Sequence, residues 1–178
     1  MMLAFASSFA PRYHQSAMTE EPRWLDEGEM RAWRALIGAT TDLLAVLDNE
    51  LQVAHGLSLA DYEVLVRISE SPDETMRMTD LASDLHLSPS GITRRIDGLV
   101  KSGLVERKRC PTDRRGAIAV LTEAGMKVLK DAAPTHVEGV RAHFIDRLSA
   151  RQLANLATAL SNVEVDPNAA KGGCDNVA

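Results

Sequence analysis

Apolar residues recur at intervals of three and four along most of the chain and alternate with polar ones only briefly. From Leu25 to Leu51, the positions Trp33, Ile37, Leu44, Leu47 and Leu51 share one helical face, which predicts a long amphipathic helix stopped near Gly56. Ser58 is placed to cap a second helix that runs to about Ser71, with Asp61 three residues on and Leu57 positioned to staple Tyr62. Two short helices follow. Thr79 caps the first, which ends near Leu85; His86 to Ser88 form a tight turn; Ser88 then caps the next, with Pro89 at its first position, where a missing N–H costs nothing. In that helix Ile92, Ile96, Leu99 and Val100 make the inward stripe, Gly103 supplies the stop, and Arg94, Arg95 and Lys101 fall off the stripe toward solvent or a ligand. The pattern is a helix-turn-helix.

The alternating part comes next. Leu104 to Arg109 and Ala117 to Leu121 are compatible with strands, and the Cys-Pro-Thr-Asp-Arg-Arg-Gly between them carries the residues that turns require. A hairpin directly after the second helix of a helix-turn-helix is the wing of a winged helix. Thr122 caps a following helix with Met126, Leu129, Ala133, Val137, Val140, Phe144 and Leu148 on one face. That stripe passes through Pro134, where a bend and one lost backbone hydrogen bond are expected. Ser149 to Gln152 form a capping box for a last helix with Leu153, Leu156, Leu160 and Val163 on one side.

Charge changes this picture most. The chain is acidic, with a formal charge of -5, yet the stretch from His86 to Gly116 holds eight cations against three anions, a local +5 that leaves -10 for the remainder. Such asymmetry is the footprint of a polyanion partner, with the acidic remainder discouraging contact elsewhere. Composition adds less. At 178 residues, with 45% hydrophobic and 4% aromatic residues, the chain suits one largely helical domain that needs no staples. No run approaches the roughly 20 apolar residues of a membrane span, and the N-terminus lacks the cationic region of a secretory signal, so a soluble cytoplasmic protein with no membrane contact is expected. Residues 1–22 and 165–178 are expected to be disordered, and Met18 would serve equally well as a start. Cys110 and Cys174 make no disulfide framework. Cations flank Cys110, which leaves two readings open, a redox-sensing thiol or a small hairpin residue.

Enzyme chemistry finds no footing: GxSxG, P-loop and HExxH patterns are missing. His136 and His143 stand seven residues apart on one helix, about 10 Å at 1.5 Å per residue, too far to share a metal. With His55 they read as isolated polar or core residues, and neither a metal nor a cofactor is expected.

The run "SPSGITRRIDGLVKSGLVERK" followed by "DRRGAIAVLTEAG", with its D-x-R turn and closing L-T-x-x-G, resembles the multiple antibiotic resistance regulator (MarR) family of bacterial winged-helix transcription factors, and the helix order matches from about Trp24 to Val163. The resemblance implies a mainly α fold with a small β-wing: a winged helix-turn-helix at 58–121 between a dimerisation helix at 23–57 and dimerisation helices at 122–164. It implies a homodimer on a pseudo-palindromic double-stranded operator. Ser88, Ser90, Thr93, Arg94 and Arg95 would face the major groove. Arg107, Lys108 and Arg114 would serve the wing, and Arg115 would enter the minor groove braced by Asp113. A narrow minor groove, which concentrates negative potential, suits that arginine. The family likeness also implies a repressor released by a small aromatic or anionic effector, bound near Trp33, Arg34, Tyr62, Arg67 and His136. The bland alternatives are that Trp33 and Tyr62 are core, that Arg94 and Arg95 are solvated, and that the basic wing binds an acidic protein.

Overall fold

The computed structural model describes residues 22–109 and 116–163. The elements are α1 (Glu27–His55), α2 (Leu59–Ser69), β1 (Thr75–Arg77), α3 (Met78–Asp84), α4 (Pro89–Lys101), β2 (Val105–Arg109), β3 (Ala117–Leu121), α5 (Glu123–His143) and α6 (Ala150–Ser161), with short 3-10 turns at Pro72–Glu74 and Ile145–Arg147. The mainly helical class with a small antiparallel sheet is as the sequence predicts. The expected tails, the thiols of Cys110 and Cys174, and the wing residues Asp113, Arg114 and Arg115 lie outside the described residues.

The chain divides after Ile37 into two units. In the first, Asp26 and Glu29 cap the start of α1 reciprocally: Glu29 N–H donates to Asp26 Oδ1 at 2.8 Å, and Asp26 N–H to Glu29 Oε2 at 2.9 Å. Trp24, Leu25 and Trp33 in this unit are exposed.

The second unit has one core. α2 supplies the centre, with Val64, Leu65 and Ile68 at zero exposure, while α4 contributes Ile92, Ile96 and Leu99 and α1 contributes Leu47 and Leu51. Four predicted caps form: Ser58, Ser88, Thr122 and Ser149 each accept a backbone N–H of the first turn, and Ser149 with Gln152 closes a full capping box. Gly56 and Gly103 adopt the left-handed φ of +64° and +74° that ends α1 and follows α4.

Four expectations are corrected. β1 is an unforeseen strand that pairs antiparallel with β3, so the sheet order is β1-β3-β2. Because that strand runs straight into α3, the cap position falls on Arg77; Thr79 sits inside the helix and hydrogen-bonds Asp80 instead. Val100 is exposed rather than inward. Lastly, α5 runs through Pro134 but ends at His143, and it buries Gly125, Leu129, Ala132 and Gly139 while Val137 stays outside. Small residues explain the choice of face. A Cβ on Gly125 would collide with the Leu104 carbonyl, and one on Gly139 with Leu47 and Glu50 of α1, so α5 can approach closely only along this edge.

This packing yields a paired expectation. Gly125→Ala should lower stability to urea by about 2 kcal/mol or more, since its obstacle is backbone that cannot yield. Gly98→Ala, with open space at its Cβ inside α4, should raise stability by up to about 1 kcal/mol.

Candidate nucleic-acid interface

The N-terminus of α4 is built by its own sequence. Ser88 Oγ accepts the Gly91 N–H at 3.1 Å and lies 3.2 Å from Ser90 Oγ, so Ser88 is held by capping while Ser90 is exposed beside it. Thr93, half-buried, donates its Oγ1 hydroxyl to the Pro89 carbonyl at 2.7 Å. Arg94 is exposed and has no ion-pair partner among the described residues. Arg95 differs: its Nη1 donates to Asp61 Oδ1 of α2 at 2.9 Å, with both side chains about one-third exposed.

Alternation along β2 sorts the wing's cations. Val105 is buried, so Arg107 shares its side of the sheet and reaches Asp97 of α4 at 3.4 Å, while Lys108 on the other side pairs with Glu106 at 2.8 Å. Both pairs are well exposed and worth little by themselves. Between the wing and α4, the second helix of the helix-turn-helix, lies a recess of about 180 Å³ lined by Arg77, Thr79, Thr93, Arg107 and Ala117. Sequence spacing alone does not bring Arg77 and Thr79 to this recess, because the strand that places Arg77 there is not legible in it.

Of the residues named for an effector, Tyr62, Arg67 and His136 line one recess of about 450 Å³ together with Glu63, Glu70, Asp84 and His86. Trp33 and Arg34 belong to the N-terminal unit. Tyr62 is core and also lines the recess, and its ring lies 4.7 Å from that of His136, tilted by 39°. Burial raises the Tyr62 pKa and lowers that of His136, which Glu63 partly opposes. His136 Nδ1 is buried without a hydrogen-bond partner among the described residues. His55 and His143 are each engaged, with Thr135 at 2.8 Å and with Glu50 at 2.7 Å. Among the described residues, no group of three or more His, Cys, Asp or Glu could hold a metal, and no helix is long and apolar enough to cross a membrane.

Comparison with known proteins agrees with this architecture. The MarR family model matches residues 57–116, the winged helix-turn-helix. The crystal structure of AbsC, a MarR family transcriptional regulator from Streptomyces coelicolor, is 42% identical, with a TM-score of 0.75 over 79% of this chain and 95% of that one. Sco3205 from the same organism, a MarR family transcriptional regulator solved in complex with DNA, is 39% identical, with a TM-score of 0.76 over 80% of this chain and 89% of that one. The transcriptional repressor YetL of Bacillus subtilis is 25% identical over 133 residues, 74% of this chain and 79% of its own length. A cationic recognition helix beside a cationic wing, on a chain this similar to AbsC and Sco3205 over nearly their whole length, places the protein: it belongs to the MarR family of non-enzymatic, DNA-binding transcriptional regulators.

Proposed function

We propose that the protein is a homodimeric repressor that binds a pseudo-palindromic operator and is released by a small molecule seated between α2 and α5. The observation that carries the DNA reading is the pairing of an exposed Ser90 and unpaired Arg94 on α4 with Arg107 at the base of the wing, two cationic elements that suit adjacent grooves. Ser88, Ser90, Thr93 and Arg94 then serve the major groove; Arg107, Lys108, Arg114 and Arg115 serve the backbone and minor groove, with Asp113 bracing Arg115. Sco3205 was solved on DNA and YetL is named a repressor, which supports both halves of the reading.

Dimerisation is supported by apolar residues left outside at both ends of the described chain. Trp33 and Ile37 at one end, and Val137, Leu160 and Val163 at the other, are exposed, and α6 buries none of its residues within this chain. Two winged helices related by a two-fold axis would meet half-sites about one helical turn apart. An address in the cytoplasm, where its DNA lies, follows from the same reading.

The effector reading rests on the recess lined by Tyr62 and His136. An aromatic face and an unpartnered buried ring nitrogen together suit a planar ligand that offers one hydrogen bond. Its charge refines the ligand class. Glu63, Glu70 and Asp84 outnumber Arg67, and Arg67 already lies 3.6 Å from Glu70, so neutral or cationic aromatics fit better than acids.

Three expectations follow. In gel-shift titrations against a duplex selected from a random pool, Arg115→Ala should weaken binding by about 2 kcal/mol and relax preference at flanking A·T positions. Lys108→Ala should instead weaken selected and scrambled duplexes alike and lower the salt slope by about one; equal binding by wild type and Arg115→Ala removes the wing from this reading. A panel of phenols, aromatic acids and aromatic amines should contain compounds that raise the melting temperature and relieve DNA binding, with both effects lost in His136→Ala. Stabilisation with no change in DNA affinity defeats the effector role.

The third concerns pH. The folded His136 pKa lies below its ordinary value of about 6.5, so the unfolded chain takes up the proton first as pH falls. Its contribution is therefore complete above that value and is lost as pH drops through the folded pKa. Urea stability should fall less steeply from about pH 7 to about pH 5 in His136→Gln than in wild type.

A further inference from the structure

We infer that Arg95 is a positioning residue: its ion pair with Asp61 fixes the recognition helix against α2, and it does not contact DNA. The argument rests on the DNA-binding reading above and concerns how that reading is made specific.

Arg94 and Arg95 are neighbours on α4 with opposite fates. Arg94 is exposed, whereas Arg95 is turned back on the fold, its Nη1 donating to Asp61 Oδ1 at 2.9 Å. Asp61 is itself fixed before it meets the guanidinium. Its Oδ2 accepts the Ser58 hydroxyl at 2.7 Å, and its N–H donates to Ser58 Oγ at 3.1 Å, within the cap of α2. The same helix end is held from the other side, where Leu59 N–H donates to Asp48 Oδ1 of α1 at 2.8 Å. A polar line therefore runs from α1 through the first turn of α2 to the middle of α4.

The apolar contact of α4 cannot supply what this line supplies. Ile92, Ile96 and Leu99 hold the helix down, but hydrophobic contact is non-directional and leaves rolling about the helix axis weakly opposed. A charge-assisted hydrogen bond to a rigid guanidinium is directional and adds that restraint. Electrostatics point the same way. A carboxylate next to the recognition helix neutralises a cation and repels phosphate, so on Coulomb grounds alone Asp61 weakens DNA binding. Its benefit to recognition is then one of orientation, aiming Ser90 and Arg94.

The two accounts predict opposite signs for Asp61→Asn. The measurement is the affinity of the full-length protein for a duplex that wild type selects from a random pool and for a scrambled duplex of equal length, each over a salt series. Positioning predicts that Asp61→Asn lowers the preference for the selected duplex by about tenfold, leaves scrambled binding equal or tighter, and keeps the salt slope. Arg95→Met should lower that preference to a like degree and also keep the salt slope, while the carboxylate it leaves unneutralised weakens both duplexes by a common factor; adding it to Asp61→Asn should cost little more preference, because both remove one interaction. Direct phosphate contact predicts instead that Asp61→Asn frees a cation and tightens both duplexes while Arg95→Met lowers the salt slope by about one; that pattern overturns the inference. Should Asp61→Asn fail to melt cooperatively, Arg95→Met gives the same discrimination through its salt slope. A wild type that prefers no selected duplex defeats the DNA-binding reading itself, whereas a preference shared equally by wild type and both variants defeats only the positioning role.

Discussion

The burial of α2 is the constraint on which the rest of the structure depends. A helix of 11 residues is marginal by itself, so it exists because its neighbours cover it. Val64, Leu65 and Ile68 are wholly buried and Leu59 and Tyr62 nearly so, each contributing about 1.5–3 kcal/mol of transfer free energy. Such coverage requires elements on several sides at once, and α3, α5, β1 and β3 all pack against it. Gly125 and Gly139 let the same α5 come close to Leu104 and to α1, where a Cβ at either position would collide. α2 keeps Glu63 and Arg67 at the surface, where they line the recess, and gathers Ser58 and Asp61 at its N-terminus, where backbone N–H groups and the helix dipole favour a carboxylate.

The cations of the proposed DNA-facing side sort into two kinds by how firmly their anions hold them. Arg107 with Asp97 and Lys108 with Glu106 are pairs in open solvent, of the sort that contributes at most about 1 kcal/mol. A phosphate can replace such a partner at little loss, so these side chains remain available to DNA. Arg95 and Asp61 are about one-third exposed, and Ser58 further fixes the carboxylate. Exchanging Asp61 for a phosphate would strand a partly shielded carboxylate, which costs more than an exposed one. Counting positive charges in the sequence therefore overstates the number free to meet a polyanion, and it cannot say which ones are held.

What the sequence discloses and what it hides divide along the range of the interaction. The caps at Ser58, Ser88, Thr122 and Ser149 depend on residues two or three positions away, and all four were legible. So was the pairing of β2 with β3, two neighbouring segments of alternating pattern. β1 was not. Its three residues are too few to show alternation, and its partner β3 lies more than 40 positions on, where a local pattern has no reach. The misplaced cap at Thr79 and the missed place of Arg77 in the recess beside the wing both follow from that single omission. The face chosen by α5 was hidden for another reason: apolar spacing marks Val137 as strongly as Leu129, and the decision lay with glycines whose value is the side chain they lack. Arg95 and Asp61 are separated by 34 residues, so a cation off the apolar stripe looked like any other.

The position of the recess beside His136 bears on how the proposed effector could work. Its wall includes Asp84, Leu85 and His86, the turn that delivers the chain from α3 into α4. His86 holds a left-handed φ of 52°, a conformation uncommon for a residue with a side chain, and the hydrogen bond from Leu87 N–H to the Ala82 carbonyl at 2.9 Å locks the turn around it. Ser88, two residues later, is the cap that fixes the first turn of the recognition helix. A ligand between Tyr62 and this turn would thus touch the support of the reading head without touching DNA. It can shift DNA affinity only by the difference in its own affinity for the two arrangements of that support, typically 1–3 kcal/mol. The pair of Arg95 with Asp61, neither of which lines the recess, opposes such a shift. The proposed repressor would then be poised by two restraints on α4, a backbone turn that a ligand can reach and an ion pair that it cannot.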